Sequence, residues 1–177
     1  MNAPWGGGDY VDQAGREQTL VVRWDGSTWT QVPGPHMNDF QALYGVSFSR
    51  ADDGWAVGEQ FPSGGRSRTL VAHWNGSSWA AMPSPNPSPG NDVLSSVSAD
   101  STSDAWAVGI YQASPSVTDS LILRWDGSAW TQVPSPNPDP QYNILTGVSV
   151  NAGDVWAVGY TVPGGVITEP LVVHHSP

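Results

Sequence analysis

"DGWAVG" at residues 53–58 returns as "DAWAVG" at 104–109 and as "DVWAVG" at 154–159, so one six-residue phrase recurs about every 50 residues. A reduced copy, Trp5 to Gly8, lies 50 residues before the first of these phrases. A second series keeps the same period, and its members are Trp24, Trp74, Trp125 and His175. The whole chain is therefore repetitive, and a period of about 50 residues is typical of propeller blades.

Each repeat contains four short segments rich in β-branched and aromatic residues, which predicts four strands. Between the third and fourth segments lie "DGST", "NGSS" and "DGSA", and these sequences predict two-residue type I′ hairpins. The Pro-rich segments "PSPNPSPGND" and "PSPNPDPQYN" follow the fourth strand and predict extended connectors, since proline prevents continued strand pairing.

These features predict an all-β fold, a β-propeller built from four-stranded blades. The chain holds about 3.5 repeats and fourteen strands by this count. We expect a partial blade at 1–37, full repeats at 38–88 and 89–139, and a partial blade at 140–177. A linear β-solenoid is the alternative architecture, although solenoid coils are usually shorter than about 50 residues.

The pattern WAVG…L(V/I)xxWxGSxWxxVPSPNP resembles the WAVG repeats of bacterial extracellular propeller proteins, which are likened to the galactose oxidase and kelch families. The turn "WDGSxW" is also similar to the Asp-box of sialidase-like propellers, but it is one residue shorter and lacks the preceding Ser. The resemblance implies the blade architecture. It implies no sialidase or copper chemistry, because the residues of those sites cannot be matched here.

Composition excludes several functions. The net charge is −10 and the six cations are all Arg, so a nucleic-acid backbone is an unfavourable partner. The chain has no Cys, which excludes disulfides and thiol nucleophiles. No apolar run is long enough to predict a membrane span. If the protein is secreted, we expect its signal peptide to have been removed or to belong to a longer precursor.

The repeated residues have a structural and a functional interpretation. Tryptophans can form a core ladder or a sugar-stacking platform, and we favour the core for Trp55, Trp106 and Trp156. The carboxylates two residues before them are predicted to bracket a turn and to bind the preceding-strand hydroxyls, rather than to act as catalytic acids. These residues are Asp53, Asp104 and Asp154, with Ser47, Ser98 and Ser149.

Basic residues share one register beside the third-strand tryptophan: Arg23, His73, Arg124 and His174. We expect them to pair with acidic residues of the adjoining blade, with ligand binding as the alternative. His174 and His175 are neighbours on a strand and point to opposite faces, so they do not predict a chelating pair. We expect no metal site, no cofactor and no catalytic residue.

Variable segments at one end of the blades are the predicted ligand-binding region, since binding residues concentrate on long loops. Those segments are 59–68, 110–119 and 160–169, together with the Pro-rich connectors. Planar aromatics, amides and guanidinium groups suit a sugar or an extended peptide. The candidate ligand-binding residues are Arg66, Arg68, Tyr111, Asn137, Tyr142 and Tyr160.

Two function classes remain. The first is a non-enzymatic binding or adhesion module, lectin-like or protein-binding, acting outside the cell or at its surface. The alternative is a fragment or subunit of a glycan-processing propeller enzyme, which needs a singular pair of carboxylates that the sequence does not mark. Because the end repeats are partial, we also expect a homo-oligomer or a longer repeat array.

Overall fold

A computed structural model describes residues 4–35, 40–62 and 65–176. In these ranges the secondary structure consists of fourteen β-strands and one short 3-10 turn at Pro163–Gly165. The all-β prediction and the strand count are both confirmed.

The strands form four antiparallel sheets. The first sheet contains β1 (Trp5–Val11), β2 (Glu17–Trp24) and β3 (Trp29–Val32). The second contains β4 (Phe40–Arg50), β5 (Asp53–Phe61), β6 (Arg68–Trp74) and β7 (Trp79–Met82). The third contains β8 (Asp92–Ser101), β9 (Asp104–Ser114), β10 (Val117–Trp125) and β11 (Trp130–Val133). The fourth contains β12 (Asn143–Asn151), β13 (Asp154–Thr161) and β14 (Glu169–His175).

Each sheet is a meander in which the strands pair in chain order, as in a propeller blade. The first sheet has no counterpart of the innermost strand, and the fourth has no counterpart of the outer strand, among the described residues. The expected repeat boundaries at 88/89 and 139/140 fall in the connectors before β8 and β12. The boundary at 37/38 lies outside the described residues.

Successive sheets pack face to face, with the innermost strands side by side. The hydroxyl of Ser47 accepts a hydrogen bond from the Ala99 amide at 3.0 Å, and that of Ser98 accepts one from the Val150 amide at 3.0 Å. Asp53 accepts a hydrogen bond from the hydroxyl of Ser49, and among the described residues no hydrogen bond joins Ser47 or Ser98 to a turn carboxylate. The predicted pairing is therefore wrong for Ser47 and Ser98. They instead satisfy backbone groups of the next sheet, one repeat further along the chain.

Steric contact explains why the WAVG motif ends in glycine. A Cβ at Gly58, Gly109 or Gly159 would overlap a carbonyl oxygen of the innermost strand, belonging to Ala42, Val93 and Ile144 respectively. Just beyond this point the pairing register between the innermost and second strands shifts in the second, third and fourth sheets, for example between Leu43 and Gly45. The motif therefore needs glycine where the bulged inner strand approaches most closely.

The turns between the third and fourth strands differ from the prediction. They are four-residue loops, because Trp24 pairs directly with Trp29 and the equivalent tryptophans do the same. In the loop at 25–28 the Asp25 carboxylate accepts hydrogen bonds from the amides of Ser27 and Thr28, each at 2.8 Å. Only glycine has positive φ there, so the type I′ prediction is wrong. The side chain of Asp25 closes the loop as an Asx turn instead.

Three apolar clusters fill the spaces between the four sheets. Alternation along the strands sends Trp55 toward the third sheet, where its ring lies 4.8 Å from Trp125 and 5.0 Å from Trp130. Trp106 is likewise buried, against the fourth sheet. Trp156 is not, since it is 47% exposed on the outer face of the fourth sheet. The core prediction is therefore confirmed for Trp55 and Trp106 and wrong for Trp156.

Candidate functional site

One end of the four sheets carries the connectors and the loops between second and third strands, and we call it the connector end. The described loop residues there are 12–16, 62, 65–67 and 162–168. The third segment predicted to be a loop, 110–119, is mostly strand, because β9 continues to Ser114 and β10 begins at Val117. A short turn at Pro115 and Ser116 replaces the long loop, so a paired hairpin forms this wall of the connector end.

A groove of about 340 Å³ lies at the connector end between the second and third sheets. We call it the Arg66 groove, and its lining residues are Arg66, Pro89, Gly90, Gln112, Ala113, Ser114 and Pro115. Arg66 is exposed and makes no ion pair with any described residue. The groove therefore offers a guanidinium beside proline and alanine surfaces.

Hydrogen bonds donated by backbone amides hold the two walls of the groove together. The Ser67 amide donates to Asn91 Oδ1 at 3.1 Å, and the Asp92 amide donates to the Ser67 carbonyl at 3.1 Å. The Gln112 amide donates to the Asn91 carbonyl at 2.8 Å. The residue next to Arg66 is therefore hydrogen-bonded to the connector before β8.

Gly90 allows the connector to lie directly on the hairpin wall. A Cβ at this position would come within 2.6 Å of the Gln112 carbonyl oxygen. The side chain of Gln112 follows the same wall, and its Oε1 is buried with no hydrogen-bond partner among the described residues. A buried polar atom without a hydrogen-bond partner is rare in folded proteins.

Arg68, two residues from Arg66, has a different environment. Its Nη1 donates to the Ser88 carbonyl at 2.8 Å and to Asp92 Oδ2 at 3.0 Å. The Asp92 side chain is fully buried, and burial raises its pKa although Ser88 and Arg68 act in the opposite direction. The structure thus places Arg68 in an ion pair that joins the second sheet to the third.

The Asn137 side chain joins the connector after β11 to strand β10. Its Oδ1 accepts hydrogen bonds from the Ser120 amide at 2.9 Å and from the Ser120 hydroxyl at 2.8 Å. Asn86 makes the same contact one repeat earlier, accepting from the Thr69 amide at 2.9 Å. The repeated "PSPNP" sequence therefore has a structural use at both positions.

The three candidate tyrosines are divided between two places. Tyr111 is partly buried and packs against the core between the second and third sheets. Burial, followed by the charge of Asp119, raises the pKa of its hydroxyl. Tyr160 lies on β13, and Tyr142 directly precedes β12, where it bridges to Thr118 of β10 and accepts a hydrogen bond from the Val162 amide at 3.2 Å. Tyr142 is 37% exposed and is the most accessible aromatic residue of the candidate set.

Three of the four basic residues beside the tryptophans pair with a carboxylate of their own sheet, not with the adjoining blade as predicted. The fourth, Arg23, lies over the Trp5 ring, 5.5 Å from its centroid. His73 Nε2 lies 2.8 Å from Asp53 Oδ1, and Arg124 Nε donates to Asp104 Oδ1 at 2.9 Å. The third pair, His174 with Asp154, lowers the pKa of that carboxyl through its hydrogen bond. Each basic side chain also lies against the tryptophan opposite it on the neighbouring strand. Each of these three groups of a basic residue, a carboxylate and a tryptophan therefore joins the second and third strands of its sheet.

The described residues contain no group of three or more His, Cys, Asp or Glu side chains placed to hold a metal ion. Among the same residues, no helix has the length and apolar character needed to cross a membrane.

The Arg66 groove lies at the end of the sheets where the sequence predicts ligand binding, and that prediction stays a prediction. Arg66 is the one candidate in the groove, while Pro89, Gly90 and Gln112 were not singled out. The available signal was the glycine within "SPGND", which interrupts the Pro-rich connector where close backbone approach is needed.

No family model and no curated protein matches this sequence. Among solved structures the chain is similar to that of a BT0996 RGII complex, with 13% identity and a TM-score of 0.42. It is also similar to the structure of YCF48 bound to D1 peptide, with 16% identity and a TM-score of 0.35. The matches cover 92% and 90% of this chain but only 58% and 57% of the two matched proteins, so the chain spans little more than half their length.

Proposed function

We propose that this chain is a non-enzymatic binding module that takes a carboxylate-bearing glycan or peptide in the Arg66 groove. The observation that carries the proposal is the exposed guanidinium, which has no ion pair among the described residues of a chain with net charge −10. Arginine forms planar bidentate hydrogen bonds with carboxylates. An exposed arginine without an ion pair can therefore bind the carboxylate of a ligand selectively.

The size and lining of the groove support this ligand class. Its volume of about 340 Å³ is at the lower end of the range for small-molecule sites, which is about 300 to 1,000 Å³. Apolar proline surfaces beside a few polar groups are typical of such sites. Tyr142 and Tyr160 remain predicted contacts for a ligand long enough to extend over the fourth sheet.

The alternative function is glycan processing by a propeller enzyme. Such chemistry needs two accessible carboxylates at the reacting bond. The carboxylate nearest in sequence to the groove is that of Asp92, which is buried and already bonded to Arg68 and Ser88. This arrangement supports binding over hydrolysis.

The test is a panel of uronic-acid oligosaccharides, neutral oligosaccharides and acidic peptides, screened for binding and for turnover. We expect binding of a carboxylate ligand that Arg66→Gln weakens about tenfold or more, which corresponds to about 1.4 kcal/mol. Arg50→Gln is the matched control, because Arg50 is exposed at the opposite end of the second sheet. Equal loss in both variants, or turnover abolished by a single carboxylate substitution, would contradict the proposal.

We further propose that the module acts outside the cell or at its surface, without a nucleic-acid partner, as a homo-oligomer or within a longer repeat array. The acidic charge and the lack of Cys are compatible with either side of a membrane, so the proposed location rests on the ligand class. Fractionation of the source organism with an antibody to this chain tests it, and a cytoplasmic signal alone would contradict it.

A further inference from the structure

The outer face of the fourth sheet is apolar and uncovered. Trp156 and Val158 on β13 are each 47% exposed, and Val172 on β14 is 57% exposed. The equivalent tryptophans of the second and third sheets, Trp55 and Trp106, are 0% and 2% exposed because the next sheet covers them. The fourth sheet therefore presents the contact surface that internal sheets bury, and we call it the donor face.

The outer face of the first sheet is the complementary surface. It carries Trp24 and Trp29, and Trp29 is 53% exposed, whereas its equivalents Trp79 and Trp130 are 7% and 5% exposed. Leu20 and Val22 lie on the same face of β2 by alternation. We call this surface the acceptor face.

The chain shows how the two kinds of face fit together. In the contact between the first and second sheets, the Trp5 ring lies 5.1 Å from Trp74 and 6.0 Å from Trp79. In the next contact, Trp55 lies 4.8 Å and 5.0 Å from the tryptophans of the third-sheet pair. In both contacts one tryptophan of the WAVG position packs against a pair on the following sheet.

The acceptor pair of the first sheet already has the required geometry. Trp24 and Trp29 have ring centroids 5.6 Å apart at 51°, and the occupied pair Trp74 and Trp79 has 5.6 Å at 46°. Little rearrangement is therefore needed for a tryptophan to bind there. Pre-organised aromatic surfaces lose little conformational entropy on association.

We propose that a second copy of this chain docks head to tail, with Trp156 of one copy packed against the Trp24–Trp29 pair of the other. The occupant follows from the repeat, because the chain carries both halves of an interface that it already uses between its own sheets. Such a contact is heterologous, so it closes into a ring or continues as a chain of copies. Two copies supply eight sheets, which is within the range of closed propellers.

The first test is the molar mass in solution, measured by light scattering with size-exclusion chromatography over a concentration series. We expect a species of twice 18.8 kDa or larger for the unmodified chain. Trp156→Arg and Trp29→Arg should each give a monomer, and both positions are exposed enough for the variants to fold. Val166→Arg is the control, since Val166 is 84% exposed in the loop between β13 and β14 and on neither face.

The second test mixes the two variants. Trp156→Arg keeps an intact acceptor face and Trp29→Arg keeps an intact donor face, so the mixture should form a two-chain species that neither variant forms alone. If like faces met instead, each variant would still pair through its unmodified face. A monomeric unmodified chain, association that survives either substitution, or a mixture that stays monomeric would overturn the proposal.

Discussion

Trp106 and Trp156 stand in the same motif but in different surroundings. Both are followed by Ala-Val-Gly and both lie against a basic side chain of the neighbouring strand. Trp106 is covered by the fourth sheet, and Trp156 faces solvent. The contribution of the motif to stability is therefore set by what packs on the tryptophan and not by the motif itself.

We expect Trp106→Ala to lower the free energy of unfolding by about 3 to 5 kcal/mol, since truncating a buried aromatic side chain leaves a cavity. Trp156→Ala, the matched control, should lower it by less than about 1 kcal/mol, as is usual for surface positions. Guanidinium denaturation at a concentration where the chain is monomeric measures both. If both substitutions lowered the free energy of unfolding by similar amounts, Trp156 would be buried in solution, which contradicts the prediction.

At the scale of elements, polar side chains join adjacent sheets near the connector end. Arg68 and Asp92 pair between the second and third sheets, and Asn143 Nδ2 donates to Asp119 Oδ1 at 3.3 Å between the third and fourth. The two pairs occupy the same positions of the repeat with different chemistry. The repeat therefore keeps a polar contact at this position while the residues that form it are exchanged.

We expect Arg68→Ala to lower the free energy of unfolding by about 3 kcal/mol, because it leaves the buried Asp92 carboxylate without its cationic partner. The double variant Arg68→Asp/Asp92→Asn copies the pair of the next interface and should recover about half of that loss. Thermal and denaturant unfolding measure the difference. A loss below about 0.5 kcal/mol for Arg68→Ala would indicate that Arg68 is available to a ligand.

At the scale of the whole molecule, the four sheets differ in how many faces are covered. The second and third sheets are packed on both faces, and the first and fourth on one. In a linear array of repeats, each unit is stabilised by its own interactions and by its neighbours. The end sheets should therefore open at lower free energy than the central ones.

We expect native-state hydrogen exchange to be roughly tenfold or more slower at Val57 and Val108 than at Val158. All three are strand residues at the same motif position, and the first two are fully buried while the third is 47% exposed. Measurement at low chain concentration isolates the single chain, and raising the concentration should increase protection at Val158 if copies dock. Uniform protection at low concentration would mean that the chain unfolds only as one unit.

The sequence by itself determined the all-β class, the fourteen strands, the four-sheet grouping and the end of the molecule where variable residues collect. These properties depend on alternation, turn residues and prolines, which act over a few neighbouring positions. The type I′ turn that the Asp-Gly sequence predicts is wrong, because the Asp25 side chain competes with backbone carbonyls for the loop amides.

Only the tertiary structure decided which repeated residues are structural and which face solvent. Arg66 and Arg68 are alike in sequence, but a carboxylate 24 residues away from Arg68 lies within hydrogen-bond distance of it, and none of the described carboxylates pairs with Arg66. Trp106 and Trp156 likewise differ in whether another sheet covers them. Such outcomes depend on which distant segments meet, and a pattern that repeats every 50 residues or so is the same whether or not a neighbour is present.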